Sequence, residues 1–226
     1  MPKTIILAGS SGLIGSHLLQ LCLESTQVAK VICLNRRKVL GEHPKLEERI
    51  IDFNHLVSLP DFPEADAVCC CLGTTMKKAG SKEAFRKVDY HYTLDLGKAA
   101  RNQGIPHLLL VSSLGASTQT SNFYLKTKGE IEEALNRLAF PSLTLLRPSF
   151  LLGERKENRV AENIGKWIFQ TFGFLLAGPL KKYKAIHANT VARAMLNSIL
   201  KEKPGTMILE SDRVAGLGKE SISIQD

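Results

Sequence analysis

Two hydrophobic patterns alternate along the first two thirds of the chain. Short, continuously apolar runs predict strands buried on both faces, and longer stretches with apolar residues every three or four positions predict helices. The predicted strands are residues 4–8, 30–34, 49–52, 65–72, 107–112 and 142–146, and the predicted helices are residues 13–23, 81–102 and 122–138. Repeated strand–helix units predict an α/β fold, a doubly wound parallel sheet with helices on both faces.

The pattern loosens after Arg147. The elements predicted beyond that point are helices at residues 157–176 and 189–201 and a late strand at residues 206–210. We interpret the chain as one domain, 1–226, in which residues 148–226 contribute a small C-terminal cap on the substrate side of the sheet.

Aromatic and aliphatic side chains are concentrated in residues 164–176. A helix of this composition packs over the edge of a sheet, but it also suits a substrate lid, a partner-binding surface or a peripheral contact with a membrane. The lysines that follow, Lys181, Lys182 and Lys184, favour an anionic lipid or an acidic protein partner. The sequence leaves these alternatives open.

The composition is that of a globular protein from a reducing compartment. The 226 residues are 44% hydrophobic and 23% charged, which is enough to bury a core. Five cysteines, three of them consecutive at 69–71, match neither a disulfide framework nor a zinc-ligand spacing, so we predict reduced, buried thiols and no metal. The net charge of +8 is spread over small basic groups, so nucleic acid is not a predicted partner.

The sequence also bears on the compartment. The apolar run at residues 4–8 is too short for the core of a signal peptide, and no stretch approaches the ~18 apolar residues that span a bilayer. We therefore expect a cytoplasmic protein, with mitochondrial association left open. Its oligomeric state is not encoded in any recognisable pattern.

The first predicted strand runs directly into a glycine-rich turn that opens the first helix: Gly9, Ser10, Ser11, Gly12, Leu13, Ile14 and Gly15. The pyrophosphate of a dinucleotide binds backbone N–H groups at a helix N-terminus, and a Cβ at the closest point would block its approach. The spacing is G-x-x-G-x-x-G, with the second glycine one residue later than in the usual fingerprint. Between a strand and a helix, this turn predicts a dinucleotide-binding Rossmann fold.

The residues after the second strand indicate which dinucleotide binds. An acidic residue there contacts the ribose 2′-hydroxyl of NAD, but this chain has Asn35, Arg36 and Arg37 and no carboxylate before Glu42. A guanidinium pairs with the 2′-phosphate of NADP, which a carboxylate would repel. We therefore predict NADP(H) as the cofactor. Two residues after the third strand, Asp52 and Phe53, are candidates to flank the adenine, and Phe53 is equally compatible with the core.

A candidate catalytic pair lies near the start of the third helix, where Tyr124 and Lys128 share one face at positions i and i+4. An ammonium beside a phenol stabilises its phenolate form, so such a tyrosine can exchange a proton with a carbonyl or alcohol oxygen. The preceding strand ends in Ser112 and Ser113, and a hydroxyl there can hold the same oxygen. These residues together predict a Ser113–Tyr124–Lys128 catalytic site.

The glycine turn, Ser112-Ser113, Tyr-x-x-x-Lys and Arg147-Pro148 resemble an atypical or extended short-chain dehydrogenase/reductase. Further stretches resemble its Tat-interacting, nuclear-import-inhibitor branch; they lie at residues 70–75, 121–124, 128–130 and 191–197. The resemblance spans nearly the whole chain and implies a Rossmann fold, NADPH binding and, in that branch, roles in protein interaction.

The resemblance also implies positions for individual residues. Gly73 and Thr74 are expected near the nicotinamide ribose, Pro148 and its neighbours near the nicotinamide amide, and His187 where the cap meets the site, although a structural histidine is the commoner case. The remaining residues expected at the cofactor are Cys71, Leu72, Ser112, Tyr124, Lys128 and Arg147.

Two functions remain open at this stage. The complete Ser–Tyr–Lys set favours an NADPH-dependent reductase of a small carbonyl compound. The resemblance, and Asp89 at a position where related reductases often carry asparagine, favour an NADPH-sensing scaffold that acts by binding another protein. A nucleotide-sugar epimerase or dehydratase is disfavoured, because fewer than eighty residues follow Arg147 to hold the sugar nucleotide.

Overall fold

The computed structural model describes residues 1–59, 61–152 and 182–221. Within these ranges the strands are β1 Lys3–Ala8, β2 Val28–Asn35, β3 Leu46–Ile50, β4 Ala67–Cys70, β5 His107–Val111, β6 Ser142–Arg147, β7 Leu151–Leu152, β8 Ile186–His187 and β9 Gly205–Glu210. Seven of these strands form one parallel sheet in the order β3-β2-β1-β4-β5-β6-β9, and β7 pairs with β8 in a separate parallel ribbon. The predicted α/β fold is confirmed.

Helices connect these strands. In the described part of the chain they are α1 Leu13–Glu24, α2 Met76–Ala79, α3 Lys82–Arg86, α4 Thr93–Asn102, α5 Phe123–Asn136, α6 Ala188–Leu200 and α7 Ser211–Leu217, with a 3₁₀ helix at Phe53–Ser58. A π-helical turn, Lys87–Tyr92, joins α3 to α4 without a break. The predicted long helix at 81–102 therefore exists, and Ser81 caps it by accepting a hydrogen bond from the Ala84 amide at 3.1 Å.

The central strands are largely apolar because both faces of the sheet are covered there. Adjacent residues of β1 enter opposite cores. Ile5 belongs to the core beneath α1 and α6, and Ile6 belongs to the core beneath α4 and α5. Both side chains are fully buried, as is expected for a parallel sheet enclosed between two layers of helices.

The chain reverses direction across the sheet beside β1. β1 lies between β2 and β4. The strands β2 and β3 lie on one side of β1, and the strands β4, β5 and β6 lie on the other side. A crevice opens at the carboxyl ends of the strands at such a topological switch point, and ligands of open α/β sheets bind there. Gly9 and Cys71 follow β1 and β4 at this edge, and the Cys71 amide donates to the Ala8 carbonyl at 2.8 Å.

The third strand begins earlier than the sequence pattern indicates. It covers Leu46–Ile50, whereas the apolar pattern predicts residues 49–52. β3 is the edge strand, and its half-exposed positions carry Glu47, Glu48 and Arg49, so it has no continuous apolar run to mark it.

The C-terminal part of the chain contributes to the main sheet more than the predicted cap at 148–226 implies. The predicted late strand is β9, which pairs with β6 in register. Helix α6 buries Val191, Met195 and Ile199 in the same core as α1. β9 therefore extends the main sheet, and α6 completes the helical layer beside α1. The predicted helix at 157–176, with its aromatic stretch, lies outside the described residues.

The cysteines are free thiols in the described structure. Cys22, Cys33, Cys69 and Cys70 are buried, and Cys71 is partly buried. Burial raises the pKa of Cys22 and of Cys33 to about 12, so neither thiol ionises near neutral pH. The predicted burial is confirmed for Cys22, Cys33, Cys69 and Cys70.

Candidate functional site

Close backbone contacts determine the shape of the glycine turn. Gly9 has a φ of +91°, and a Cβ on it would lie 2.6 Å from the carbonyl group of Cys71. A Cβ on Gly15 would lie 2.1 Å from the Gly9 carbonyl oxygen. The Gly12 amide closes the turn by donating to that same oxygen at 3.0 Å. Glycine is therefore required for α1 to begin this close to the ends of β1 and β4.

The N-terminus of α1 has the features of an anion-binding site. Its N-cap is Gly12, which has no side chain to bond the first amides, and its first turn contains no acidic residue. The first N–H groups of α1, including those of Leu13 and Ile14, therefore have no side-chain cap in the described structure and lie at the helix end that favours an anion. Ser11 is exposed there, but Ser10 is buried, and its hydroxyl donates to Asn35 Oδ1 at 2.9 Å instead of facing the crevice.

The crevice is a cleft of about 880 Å³. The predicted cofactor residues that line it are Gly9, Ser11, Gly12, Asn35, Arg36, Arg37, Phe53, Cys71, Leu72, Gly73 and Thr74. Leu13, Ile14 and Gly15 lie directly behind this lining, in the first turn of α1. Eleven predicted residues from four separate segments of the chain are thus brought to one surface.

The lining is positively charged. Arg36 and Arg37 line the cleft and are exposed, and Lys78 of α2, which is distant in sequence, lines the same cleft. Among the described lining residues there is no carboxylate. Lys78 is not predicted as a site residue, because α2 has only four residues and no periodicity; the signal was the Lys77-Lys78 pair that follows a strand and a glycine-containing loop.

The two predicted adenine-flanking residues, Asp52 and Phe53, have different roles. Phe53 is 3% exposed, contacts Tyr92 with ring centroids 5.5 Å apart, and also lines the cleft. Asp52 caps the 3₁₀ helix by accepting from the Asn54 amide at 2.9 Å and is not among the residues lining the cleft. Phe53 belongs both to the hydrophobic core and to the cleft wall, so its contact with adenine stays a prediction, and Tyr92 is a further lining residue that the sequence pattern did not indicate.

Ser112 and Arg147, both predicted at the cofactor, meet instead on a buried carboxylate. The Ser112 hydroxyl and the Arg147 guanidinium both donate to Glu132 of α5, with Arg147 Nε 3.1 Å from Oε1. The hydrogen bond from Arg147 to Glu132 raises the pKa of the arginine. Pro148 accepts a hydrogen bond from the Leu114 amide at 2.9 Å. These residues therefore connect β5, α5 and β6 and hold the loop that carries Ser113.

The predicted catalytic residues lie at the same edge of the sheet. Ser113 follows β5, and its hydroxyl makes only a 3.5 Å contact with the Leu114 carbonyl. Tyr124 and Lys128 occupy the first turns of α5, which Asn122 caps by accepting from the Leu125 amide at 3.1 Å. The Tyr124 ring is 36% exposed and packs against Phe85 with centroids 5.7 Å apart. None of the three is among the described residues that line the cleft.

Lys128 is held by a buried ion pair. Its Nζ lies 2.7 Å from Asp89 Oδ1, and both side chains are at most 5% exposed. The other oxygen of Asp89 accepts from the Thr74 amide at 2.9 Å, which connects the pair to the wall of the cleft. Burial alone lowers the pKa of Lys128, but Asp89 and the phenol of Tyr124 outweigh it, so the pKa lies above its ordinary value. Lys128 is therefore an ammonium at neutral pH.

Residue His187 is exposed at the N-cap of α6 and provides no side-chain cap for that helix. It lies at the end of the β7–β8 ribbon, where it pairs with Leu152. Its predicted position between cap and site stays a prediction.

Comparison with known proteins places this geometry in a family. Residues 30–174 match the HIM1 family. The chain belongs to the HIM1 family. It is 35% identical to Protein HTATIP2 of Rattus norvegicus over 224 residues, which cover 97% of this chain and 90% of that protein. It is 36% identical to Protein FMP52, mitochondrial, of Candida albicans over 221 residues, covering 89% of this chain and 92% of that protein. The resemblance to the Tat-interacting branch is confirmed.

Solved structures share the fold of this HIM1 family member. The Bordetella bronchiseptica enzyme WbmH in complex with NAD⁺ has a TM-score of 0.69 at 16% identity, covering 93% of this chain and 76% of that one. The UDP-N-acetylglucosamine 4-epimerase of Bacillus cereus has a TM-score of 0.66 at 17% identity, covering 92% of this chain and 78% of that one. At this identity the likeness supports the Rossmann-type fold alone.

Within residues 1–59, 61–152 and 182–221, no helix combines the length and the apolar character that crossing a bilayer requires.

The glycine contact at the start of α1 can be tested by substitution. Gly15→Ala should lower the free energy of unfolding by about 3 kcal/mol or more, because the new Cβ would overlap the Gly9 carbonyl oxygen. Gly216→Ala in α7 is the matched control: its Cβ would have no described atom within 4 Å, so it should be neutral or stabilise by up to about 1 kcal/mol. Urea unfolding measures both, and equal values would contradict the packing.

The buried ion pair makes a second prediction. Asp89→Asn retains an acceptor for the Thr74 amide but leaves the Lys128 ammonium buried without its counter-charge, which should cost about 3 kcal/mol in the free energy of unfolding. Asp95→Asn is the control, because Asp95 pairs with the more exposed Lys98 at 3.6 Å and should cost less than about 1 kcal/mol.

The pH dependence of stability provides an independent signature. In the native chain the raised pKa of Lys128 makes its contribution complete below the ordinary value of 10.5, and the contribution is lost as pH rises through the folded value. In Asp89→Asn the largest raising influence is lost and burial, the largest single cause, is opposed only by Tyr124 and Cys70, so the pKa of Lys128 should fall and the stability of the variant should approach that of the native protein as pH rises. Urea unfolding at several alkaline pH values would refute this if the two curves stayed parallel.

Proposed function

We propose that this protein binds NADP(H) and acts as an oxidoreductase that reduces a small carbonyl compound. The observation that carries the proposal is the cleft at the switch point, where a glycine turn and the uncapped start of α1 meet Arg36, Arg37 and Lys78. The glycines let α1 begin directly beside the ends of β1 and β4, because a Cβ at Gly9 or Gly15 would overlap backbone atoms. This close approach brings a helix N-terminus, which favours a pyrophosphate, to the cleft.

The charges of the lining favour the phosphorylated dinucleotide. Guanidinium groups at the end of β2 suit the planar, bidentate recognition of a 2′-phosphate. No carboxylate lies among the described lining residues to repel that phosphate or to bind a free 2′-hydroxyl. The amides of Leu13 and Ile14 would hold the pyrophosphate, and Gly73 and Thr74 would lie beside the nicotinamide ribose.

Cofactor titrations test this preference directly. Arg36→Ala and Arg37→Ala should each weaken NADPH binding about tenfold, because each removes a charge-assisted contact, and should leave NADH binding unchanged. Lys38→Ala is the control, since Lys38 is the adjacent cation and is not among the residues lining the cleft. Fluorescence titration of NADPH and NADH gives the affinities. Failure of the native protein to bind NADPH would refute the proposal.

The catalytic residues have complementary roles in the proposed reaction. Bound NADPH supplies the hydride. Tyr124 donates the proton to the carbonyl oxygen, and the Ser113 hydroxyl, which has only a long internal contact, donates a hydrogen bond to the same oxygen. Lys128, kept charged by Asp89, lies one helical turn from the phenol and stabilises its deprotonated form.

Replacement of Tyr124 by Phe tests the chemistry. Turnover should fall by at least about a hundredfold, because the proton donor is lost, and NADPH affinity should be unchanged. NADPH oxidation is to be followed across a panel of aldehydes, ketones and quinones. Tyr90→Phe is the control, because Tyr90 lies on the π-helical turn and is not among the cleft-lining residues. An unaffected rate in Tyr124→Phe would exclude this residue as the acid.

A second candidate function is an NADPH-sensing protein that acts through a protein partner. It is favoured by the position of Tyr124, which packs on Phe85 and is not among the described residues that line the cleft. Tight NADPH binding without turnover on any member of the panel would support this function over the reductase.

The proposed compartment is a reducing one, either the cytoplasm or the mitochondrion. Free, buried thiols support a reducing compartment. The relatives named FMP52 carry the word mitochondrial in their names. Fractionation of cells that express the protein distinguishes the two locations.

A further inference from the structure

A chain of hydrogen bonds links the glycine turn to the edge strand β3, and the proposed reaction does not use it. Glu48 of β3 accepts from Asn35 Nδ2 at 2.7 Å and from the Val39 amide at 3.0 Å through the same oxygen, Oε1. Its second oxygen accepts from the Leu40 amide at 3.4 Å. One carboxylate thus holds both ends of the basic loop, residues 36–38.

Asn35 connects this carboxylate to the turn. Its Oδ1 accepts from the Ser10 hydroxyl at 2.9 Å while its Nδ2 donates to Glu48, so both sides of the amide are engaged. Asn35 is 7% exposed and Ser10 is 1% exposed. An aspartate at position 35 has no N–H to donate to Glu48, so the presence of a carboxylate on β3 explains why an amide occupies the end of β2.

The orientation of the network keeps its negative charge away from the ligand. Glu48 is not among the residues that line the cleft, whereas Asn35, Arg36, Arg37 and Val39 are. The carboxylate accepts from the backbone amides of Val39 and Leu40 and has no described contact with either guanidinium group, both of which belong to residues that line the cleft. Its charge therefore serves to fix the loop and does not compete with a phosphate for the arginines.

We infer that Glu48 is a positioning residue for cofactor selectivity, which holds Arg36 and Arg37 at a fixed distance from the glycine turn through Asn35 and Ser10. The inference depends on the proposed NADP(H) binding. A dinucleotide with a 2′-phosphate has two anionic groups at a set separation, one at the start of α1 and one at the basic loop. A loop held at both ends recognises both groups without an ordering cost at the moment of binding.

The test compares selectivity among variants of β3. Glu48→Ala should weaken NADPH binding about tenfold and NADH binding less than about twofold, because only the phosphate of NADPH depends on the loop. Glu48→Gln preserves side-chain volume but replaces one acceptor oxygen by an NH₂ group, so its affinity for NADPH should fall about threefold. This variant tests the positioning role if the alanine variant does not fold.

Glu47→Ala is the matched control, because Glu47 is the neighbouring carboxylate on β3 and pairs with Lys30 and Arg49 instead of the basic loop. It should lower stability as any edge substitution does and leave the ratio of NADPH to NADH affinity unchanged. The readouts are equilibrium titrations with NADPH, NADH and 2′,5′-ADP, together with the Tm of each variant, so none depends on turnover.

The outcomes separate this inference from the proposed function. A native protein that prefers NADPH, with a ratio that falls in both Glu48 variants and not in Glu47→Ala, supports the positioning role. Variants that lose Tm but retain the native ratio would show that Glu48 only stabilises the edge strand, which overturns the inference and leaves NADP(H) binding intact. A native protein without any preference for NADPH would overturn both.

Discussion

The contact between the Gly9 carbonyl oxygen and the first turn of α1 sets the position of everything at the carboxyl edge of the sheet. The space at Gly15 is too small for any side-chain atom, so α1 can start only where it does. From that start, its amides point into the gap between β1 and β4. The basic loop after β2, the segment after β4 and the start of α5 are then arranged around a fixed anion-binding point.

Two buried ion pairs also fix the arrangement of the loops near the carboxyl edge of the sheet. Lys128 with Asp89 and Arg147 with Glu132 are ion pairs with largely or fully buried members. The first pair connects α5 to the π-helical turn and the second connects α5 to β6, and each has an extra hydrogen bond, from the Thr74 amide in one case and the Ser112 hydroxyl in the other. Such pairs contribute little net stability compared with apolar packing, but breaking one is costly, so they favour one arrangement of the loops.

The sequence predicts the buried strands and the glycine turn because their requirements are local. Each position of β1 from Ile5 to Ala8 is apolar, and the turn must contain glycine wherever backbone approaches backbone. Other features depend on distant partners. Ser112 and Ser113 are equivalent in a linear pattern, and only the presence of Glu132 twenty positions later shows which hydroxyl is engaged. Edge strand β3 and the four-residue helix α2 are too polar or too short to produce a period, and β9 is recognised as part of the main sheet only once β6 is in place.

The π-helical turn at Lys87–Tyr92 determines how the two halves of the helix through residues 82–102 are phased. A π turn contains one residue more than the α-helical turn it replaces. Loss of a single residue from it would rotate the preceding half by about 100° relative to α4. Asp89 would leave Lys128 while Leu96 and Ala100 stayed in the core. The number of residues in this turn therefore decides whether Asp89 can reach Lys128 while the side chains of α4 remain in the hydrophobic core.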